Sequence, residues 1–349
     1  MHDLGYEYVV LDDCWSSKTR DENGELQADS KKFPSGMKSL ASYVHSKGLK
    51  FGLYTSVGDV TCKGDRPGSL DKYETDAKTL SSWGIDFIKM DHCGDKHNRT
   101  DIELYGTMSQ ALNKTGRSIL FSLCNWGEEN VWDWGSNISQ MYRIQQDHLP
   151  FWSYSIGQAQ GVGYGQGTKE IIEWMAHLDP SKHTREYGYM DPDFLMTMFD
   201  PLTMTFTESR TEYTFWALWS SPLLVCTDIR DMSKEKQSIL MNEEVIAVNQ
   251  DDLFTGGTRI RNNSVDGTQI WTKPLSNGDV AVVLYNSNSR GGDIDISFRW
   301  SDLVGFNDDD SISLRNLWTK SDLNNNVTLG SFSSSVSPRD ILFLRASKL

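Results

Sequence analysis

Short apolar runs alternate with amphipathic segments through the first ~250 residues, the length of a (β/α) barrel. Tyr8-Val9-Val10-Leu11 is a strand-length run that empties into Asp12-Asp13. Met37, Leu40, Ala41 and Val44 then recur at helical spacing ahead of Gly48. Leu49 to Thr55 predicts a second strand, and Tyr73, Ala77 and Leu80 a helix that stops at Gly84. Asp86 to Asp91 predicts a third strand, because Phe87 and Ile88 suit a pleated, half-buried backbone. A helix on Tyr105, Met108 and Leu112 follows, then a strand from Ile119 to Cys124 and another from Met141 to Asp147. Later signals are a strand before Asp191-Pro192-Asp193, an aromatic helix around Phe215 and Trp219, and a strand at Leu223 to Cys226. A last helix, N-capped by Ser233, carries Ile239, Leu240, Val245 and Ile246.

Seven βα repeats of this kind predict an α/β fold of the (β/α)8 TIM-type barrel class over residues 1–252. A doubly wound sheet would show a Gly-rich phosphate turn after its first strand, where this chain has Asp12-Asp13-Cys14-Trp15. From residue 253 to 349 the pattern changes to short strands separated by Asn, Gly, Ser and Asp turns, which predicts a C-terminal antiparallel β-sandwich. The strand runs are Thr268 to Trp271, Val280 to Tyr285, Ile294 to Trp300, Ile312 to Trp318 and Ile341 to Leu344. The chain opens on what reads as the tail of a helix, so the barrel is expected to lack its export signal and first βα unit.

Composition narrows the partners. A net charge of −14 repels nucleic acid and anionic membrane, and no apolar run reaches the ~18 residues of a membrane span. Neutral ligands remain, and 12 Trp with 13 Tyr offer faces on which sugar rings stack, although most large aromatics fill cores. Asn98, Asn113, Asn137, Asn262 and Asn326 each begin an Asn-x-Ser/Thr triplet, as in exported glycoproteins, and five cysteines form an odd set.

Barrel enzymes place their chemistry where strands end. Asp12, Asp13, Tyr54, Lys89, Asp91, Cys124, Arg143, Asp147 and Asp193 all lie at or just past such ends, and Trp15 and Trp126 lie nearby. Carboxylates, two cations and aromatic faces together suit a polyol, which needs paired acceptors and donors for its hydroxyls. Two such carboxylates on opposite walls cleave a glycosidic bond. Lys89 precedes Asp91 by two residues on one strand face, so its charge favours an anionic nucleophile at Asp91. Asp147, facing that negative charge, is the expected proton donor, and an Arg143–Asp147 salt bridge is the plainer alternative for that pair.

Six motifs in order carry a resemblance. Leu11-Asp12-Asp13-Cys14-Trp15, Lys89-x-Asp91-x-Cys93, Ser122-Leu123-Cys124-Asn125-Trp126-Gly127, Arg143-x-x-x-Asp147, Asp191-Pro192-Asp193 and Ala247-Val248-Asn249-Gln250-Asp251 resemble those of glycoside hydrolase family 27, mainly α-galactosidases. The resemblance implies a retaining double displacement without metal or cofactor, Asp91 being the nucleophile and Asp147 the acid/base. It also implies that Asp12 and Asp13 bind the galactose 4- and 6-hydroxyls, that Lys89 and Arg143 bind others, and that Cys62 and Cys93 form a disulfide at the rim. Cys124 and Trp126 match residues lining the 2-hydroxyl pocket, which favours galactose over N-acetylgalactosamine. The chain departs from the family pattern at Tyr187 to Met190 and at Ile144 to Gln146, which leaves room for another specificity of the family. The implied partner is an α-galactoside, with homodimer formation left open, and the implied location is secreted or lysosomal/vacuolar. Two other classes compete: a metal-dependent lyase using Asp12, Asp13 and Asp91, and a catalytically impaired sugar-binding fragment.

Overall fold

The computed structural model describes residues 1–159, 161, 163–201, 204–323, 327–328 and 330–349, the backbone alone at 327–328. The chain divides into two units, residues 1–145 and 146–349.

In the first unit the apolar runs become parallel strands. They are β1 (Tyr8–Val10), β2 (Lys50–Ser56), β3 (Phe87–Asp91), β4 (Leu120–Cys124) and β5 (Met141–Arg143), each paired with the next in chain order. Helices α1 (Gly36–His45), α2 (Tyr73–Trp83) and α3 (Asp101–Lys114) return the chain between the first four strands, and α4 (Val131–Trp134) precedes the fifth. α1 buries Met37, Ala41 and Val44, the predicted stripe. α2 stops at Gly84, whose φ of 81° suits a residue without a side chain. α3 starts on a Thr100–Glu103 capping box. All five residues of β3 are buried, as in a parallel strand covered on both faces.

The fifth strand ends at Arg143 rather than running to Asp147. Gly127, with φ of 86°, lies so close to the Ile144 carbonyl that a Cβ there would sit 2.3 Å from its oxygen. That approach occupies the backbone just past Arg143.

In the second unit, α5 (Tyr154–Ala159), α6 (Thr168–Leu178) and α7 (Pro180–His183) lead to β6 (Tyr189–Asp191). The strand expected at Leu223 to Cys226 is reduced to one parallel bridge, Leu195 with Val225, because its partner is a single loop residue. α8 (Phe206–Leu218) is buried from Thr211 to Leu218, so its apolar residues surround the helix rather than forming a stripe. The helix expected after Ser233 is two, α9 (Lys234–Leu240) and α10 (Glu243–Asn249), because Asn242 accepts from the N–H groups of Glu244 and Val245 and starts a new one.

The sandwich also lies in this unit. Its strands are β7 (Thr258–Asn263), β8 (Thr268–Pro274), β9 (Val280–Asn286), β10 (Ile294–Arg299), β11 (Ile312–Asn316), β12 (Ser321–Asp322), β13 (Val327–Thr328), β14 (Ser331–Val336) and β15 (Ile341–Lys348). They form two sheets, in the orders β12-β11-β15-β9-β8-β7 and β10-β14-β13. Ile296, Phe298, Trp300 and Phe332 pack with Ile270, Val282, Leu284 and Leu344 as the core between them. α8 is fastened to the sandwich by Phe215, whose ring centroid is 5.2 Å from those of Trp271 and Tyr285. Trp318 Nε1 donates to Thr214 Oγ1 at 2.9 Å, and Arg210 pairs with Asp340 at 2.6 Å. Asn98, Asn113, Asn137 and Asn262 are exposed, and Asn326 lies outside the described residues.

Candidate active site

In the first unit the candidate residues gather at the carboxyl ends of β1 to β5. Asp91 ends β3 and is 7% exposed. Its Oδ1 accepts from the His92 N–H at 2.9 Å and its Oδ2 from the Tyr54 hydroxyl at 3.0 Å. β2 pairs with β3 so that Ser56 stands opposite Asp91 and Tyr54 opposite Lys89, which brings the phenol across to the carboxylate. Burial, then the negative charge of Asp91, pushes the Tyr54 phenol far above its ordinary value, so it remains a donor.

Lys89 lies two residues before Asp91 on β3. Its ammonium lies 2.9 Å from Asp12 Oδ2 and 5.5 Å from the centroid of the Tyr54 ring, while the two donors described above hold Asp91. Asp12 Oδ1 accepts from the Asp13 N–H at 2.8 Å, and Asp13 accepts from the N–H groups of Cys14 and Lys63. These carboxylates are ordered by an ammonium and by backbone donors, an arrangement unlike an oxygen cage for a cation. Among the described residues no group of three His, Cys, Asp or Glu is placed to hold a metal.

Trp15 follows the Asp12-Asp13-Cys14 turn. It is 3% exposed, donates its indole N–H to the Tyr54 carbonyl at 2.7 Å and meets Trp83 edge to face. It braces β2 from behind, and only tertiary packing turns it that way. Cys124 stands opposite Asp91 in the β3–β4 register and has no exposed surface. Its sulfur accepts from Arg143 Nη1 at 3.4 Å, and Arg143 Nη2 donates to the Gln145 carbonyl at 3.1 Å. Trp126 is half-buried in the left-handed region at φ of 60°, and its indole N–H has no hydrogen-bond partner among the described residues. Its ring meets His92 edge to face at 5.3 Å. His92 contacts Asp101, which burial pushes up but which His92 and Lys96 together hold below its ordinary value.

Cys62 and Cys93 form the expected disulfide, with Cα atoms 4.9 Å apart, and Cys14, Cys124 and Cys226 are thiols. The Cys62 sulfur lies 3.2 Å from Asp91 Oδ2, a packing contact because a bridged sulfur has no proton to give. Thiol counting on the denatured, unreduced chain is expected to find three groups, and five after reduction. Reduction of the folded protein is expected to lower activity together with stability, by about 3 kcal/mol for a loop of this size. A reduced protein with unchanged turnover and melting would contradict the bracing role.

The second unit holds Asp147 and Asp193. Asp147 lies past β5, in a segment that pairs with Gln166: its carbonyl accepts from the Gln166 N–H at 2.7 Å. Asp193 Oδ2 accepts from the His148 N–H at 2.7 Å, which brings that carboxylate beside the backbone carrying Asp147. Asp193 has φ of 87°, a conformation that costs energy for a non-glycine residue. Its N–H donates to Asp191 Oδ1 and its carbonyl accepts from Trp216 Nε1, both at 2.8 Å, and these bonds offset the strain.

Glu212 on α8 was not singled out in the sequence. Its side chain has no exposed surface and accepts from the Met196 N–H and the Thr197 hydroxyl. Burial pushes its carboxyl up to about 8, outweighing those two donors. The folded state therefore keeps a proton that the unfolded chain, at the ordinary value of 4.5, releases. The resulting stability is complete below the unfolded value and is lost as pH rises toward about 8. Glu212→Gln is expected to flatten this fall in melting temperature with pH, and an unchanged slope would remove Glu212 as its source.

A buried carboxylate fixed by two donors at a strand's end, beside paired acidic residues and aromatic rings, defines a carbohydrate-active hydrolase site. Comparison with known proteins agrees. Residues 1–251 match the family model described as alpha galactosidase A, and residues 265–346 the alpha galactosidase C-terminal beta sandwich domain. An alpha-galactosidase of Oryza sativa subsp. japonica is 39% identical over 97% of this chain and 75% of its own length. Alpha-galactosidase A of Cellvibrio japonicus is 38% identical over 91% of this chain and 78% of its own length. The crystal structure of alpha-galactosidase I from Mortierella vinacea superposes with a TM-score of 0.90 at 33% identity, covering 99% of this chain and 88% of that one. The chain is a glycoside hydrolase of the (β/α)8-barrel class with a C-terminal antiparallel β-sandwich. It belongs to the α-galactosidase family, glycoside hydrolase family 27.

Proposed function

We propose that this chain removes terminal α-D-galactosyl residues from oligosaccharides, galactomannans or glycoconjugates by a retaining double displacement. The observation that carries the reading is Asp91: both its oxygens are oriented by fixed donors, so the carboxylate reaches the anomeric carbon without first reorganising. In the first step an Asp91 oxygen bonds to the anomeric carbon while the glycosidic C–O bond breaks, and Asp147 gives its proton to the departing oxygen. In the second, Asp147 takes a proton from water, the water oxygen bonds to the anomeric carbon, and Asp91 leaves as a carboxylate. Two inversions leave the product in the α configuration.

Asp12 and Asp13 offer acceptors, and Lys89 and Arg143 donors, to the sugar hydroxyls, and Asp193 and Trp126 are further candidate sugar contacts. Galactose is favoured over N-acetylgalactosamine because Cys124 and Trp126 match the residues that line the 2-hydroxyl pocket in the α-galactosidases this chain resembles. Residues 1–252 act as the catalytic domain and 253–349 as the sandwich domain. The Cys62–Cys93 disulfide favours an oxidising compartment, so the enzyme works outside the cell or in a lysosome or vacuole. No helix among the described residues is long and apolar enough to cross a membrane.

The test is turnover of a chromogenic aryl α-galactoside beside its α-N-acetylgalactosaminide, with the first-formed anomer followed by NMR. Initial release of β-galactose would overturn retention, preference for the acetamido sugar would overturn the specificity, and binding without turnover would leave only a sugar-binding protein.

A further inference from the structure

His148 is a buried imidazole that the scheme above does not use. It directly follows Asp147, and 1% of its surface is exposed. The ring is fastened at both nitrogens: Nδ1 lies 2.8 Å from the Phe194 carbonyl oxygen and Nε2 3.0 Å from the Thr168 hydroxyl. A carbonyl only accepts, so the network places a proton on Nδ1, while the Thr168 hydroxyl at Nε2 also lies 3.3 Å from Met204 Sδ. The ring leans on Trp216 at 5.3 Å between centroids, and the Trp216 indole N–H holds the Asp193 carbonyl. Glu212 approaches Nδ1 to 3.8 Å, from a side chain as buried as the imidazole. The His148 backbone N–H meanwhile holds Asp193 Oδ2. One residue thus links the segment bearing Asp147 to α6 through Thr168, to α8 through Trp216, and to Asp193.

An apolar side chain could fill this space. A ring tied by two directional bonds in a dry interior fixes orientation as well, because turning it takes the Nδ1 proton away from the Phe194 carbonyl. The Gln166 pairing holds the backbone edge of residues 147–149, and the imidazole holds their other side. We propose that His148 is a positioning residue for proton transfer, its locked ring setting the reach of the Asp147 carboxyl toward the glycosidic oxygen. This rests on the acid/base role of Asp147.

The test compares wild type, His148→Phe, His148→Asn and Thr168→Val, as the full chain, on an activated aryl α-galactoside and on an oligosaccharide with a sugar leaving group. Only the second substrate needs the leaving oxygen protonated. His148→Phe is expected to lower kcat on the oligosaccharide on the order of 10²-fold, the cost of an ångström-scale misplacement, with a loss below about 10-fold on the aryl substrate. KM is expected to hold on both. His148→Asn, whose amide nitrogen can still donate to the Phe194 carbonyl, is expected to recover part of the loss, and Thr168→Val to show the same split more weakly. Equal losses on the two substrates, or an Asn variant no better than Phe, would overturn the proposal. If His148→Phe does not fold, the split in the other two variants decides the matter. Asp147→Asn measured in parallel separates the failures. Without a leaving-group split there, the acid/base reading falls and this proposal with it; with a split there and none at His148, this proposal alone falls.

Discussion

Asp91→Asn is expected to abolish turnover, by on the order of 10⁴-fold or more, while galactose still binds. The amide keeps the shape of the carboxylate and can still accept from Tyr54 or from the His92 N–H. What it loses is the charge that attacks the anomeric carbon and then leaves as a stable anion. The loss should fall on kcat for every substrate alike, because no leaving group is good enough to dispense with a nucleophile. A shorter variant, Asp91→Gly, opens the β face of the sugar to an external anion. Azide is expected to restore turnover there and to give β-galactosyl azide, a product of single inversion. Substantial residual activity in the Asn variant, or an α-azide from the Gly variant, would remove Asp91 from the nucleophile's place.

Asp147→Asn is expected to fail selectively. Proton donation is worth about 10² to 10⁴-fold where the departing oxygen belongs to a sugar, and little where it belongs to an activated phenol. Oligosaccharide hydrolysis should therefore collapse while the first step on an aryl galactoside persists, and the glycosyl-enzyme should accumulate because water is no longer deprotonated. Azide added to Asp147→Gly attacks that intermediate and is expected to give the α-azide, the opposite anomer from the Asp91 variant. Equal losses on both substrate types would falsify the acid/base assignment. The two azide products together assign each carboxylate without reference to any distance between them.

The elements that carry these residues were legible wherever the signal is local. β1 to β4 and α1 to α3 follow from apolar runs and helical spacing, because one strand or one turn is decided by neighbours a few residues away. α6 was not anticipated, although Ile171, Ile172, Met175 and Leu178 form its buried face, since the polar loop before it gives no N-cap side chain to mark a start. The strand expected from Met141 to Asp147 is cut at Arg143 by Gly127, a residue from a different turn. Asn242 splits the last helix with a side chain that also donates to the Leu317 carbonyl at 3.0 Å, from 75 residues away. These differences arise where a distant group reaches the backbone.

For the site, the sequence by itself determined which residues come near the strand ends: Asp91, Cys124 and Arg143 end β3 to β5, Asp12, Asp13 and Asp193 lie just past β1 and β6, and Tyr54 and Lys89 stand two residues before the ends of β2 and β3. Period-2 alternation along β3 was enough to separate Lys89 and Asp91 from Met90. Tertiary structure alone decided whom each residue meets. Lys89 meets Asp12, 77 residues back in the chain, and Tyr54 comes across from β2 to hold Asp91. Trp15 turned inward, and His148 acquired Phe194, Thr168 and Glu212 as neighbours. The reason is range. Propensity and periodicity act over a few residues and set which face a side chain takes, whereas hydrogen bonds and ion pairs are chosen among whatever the fold brings within about 3 Å, and sequence separation says nothing about that distance.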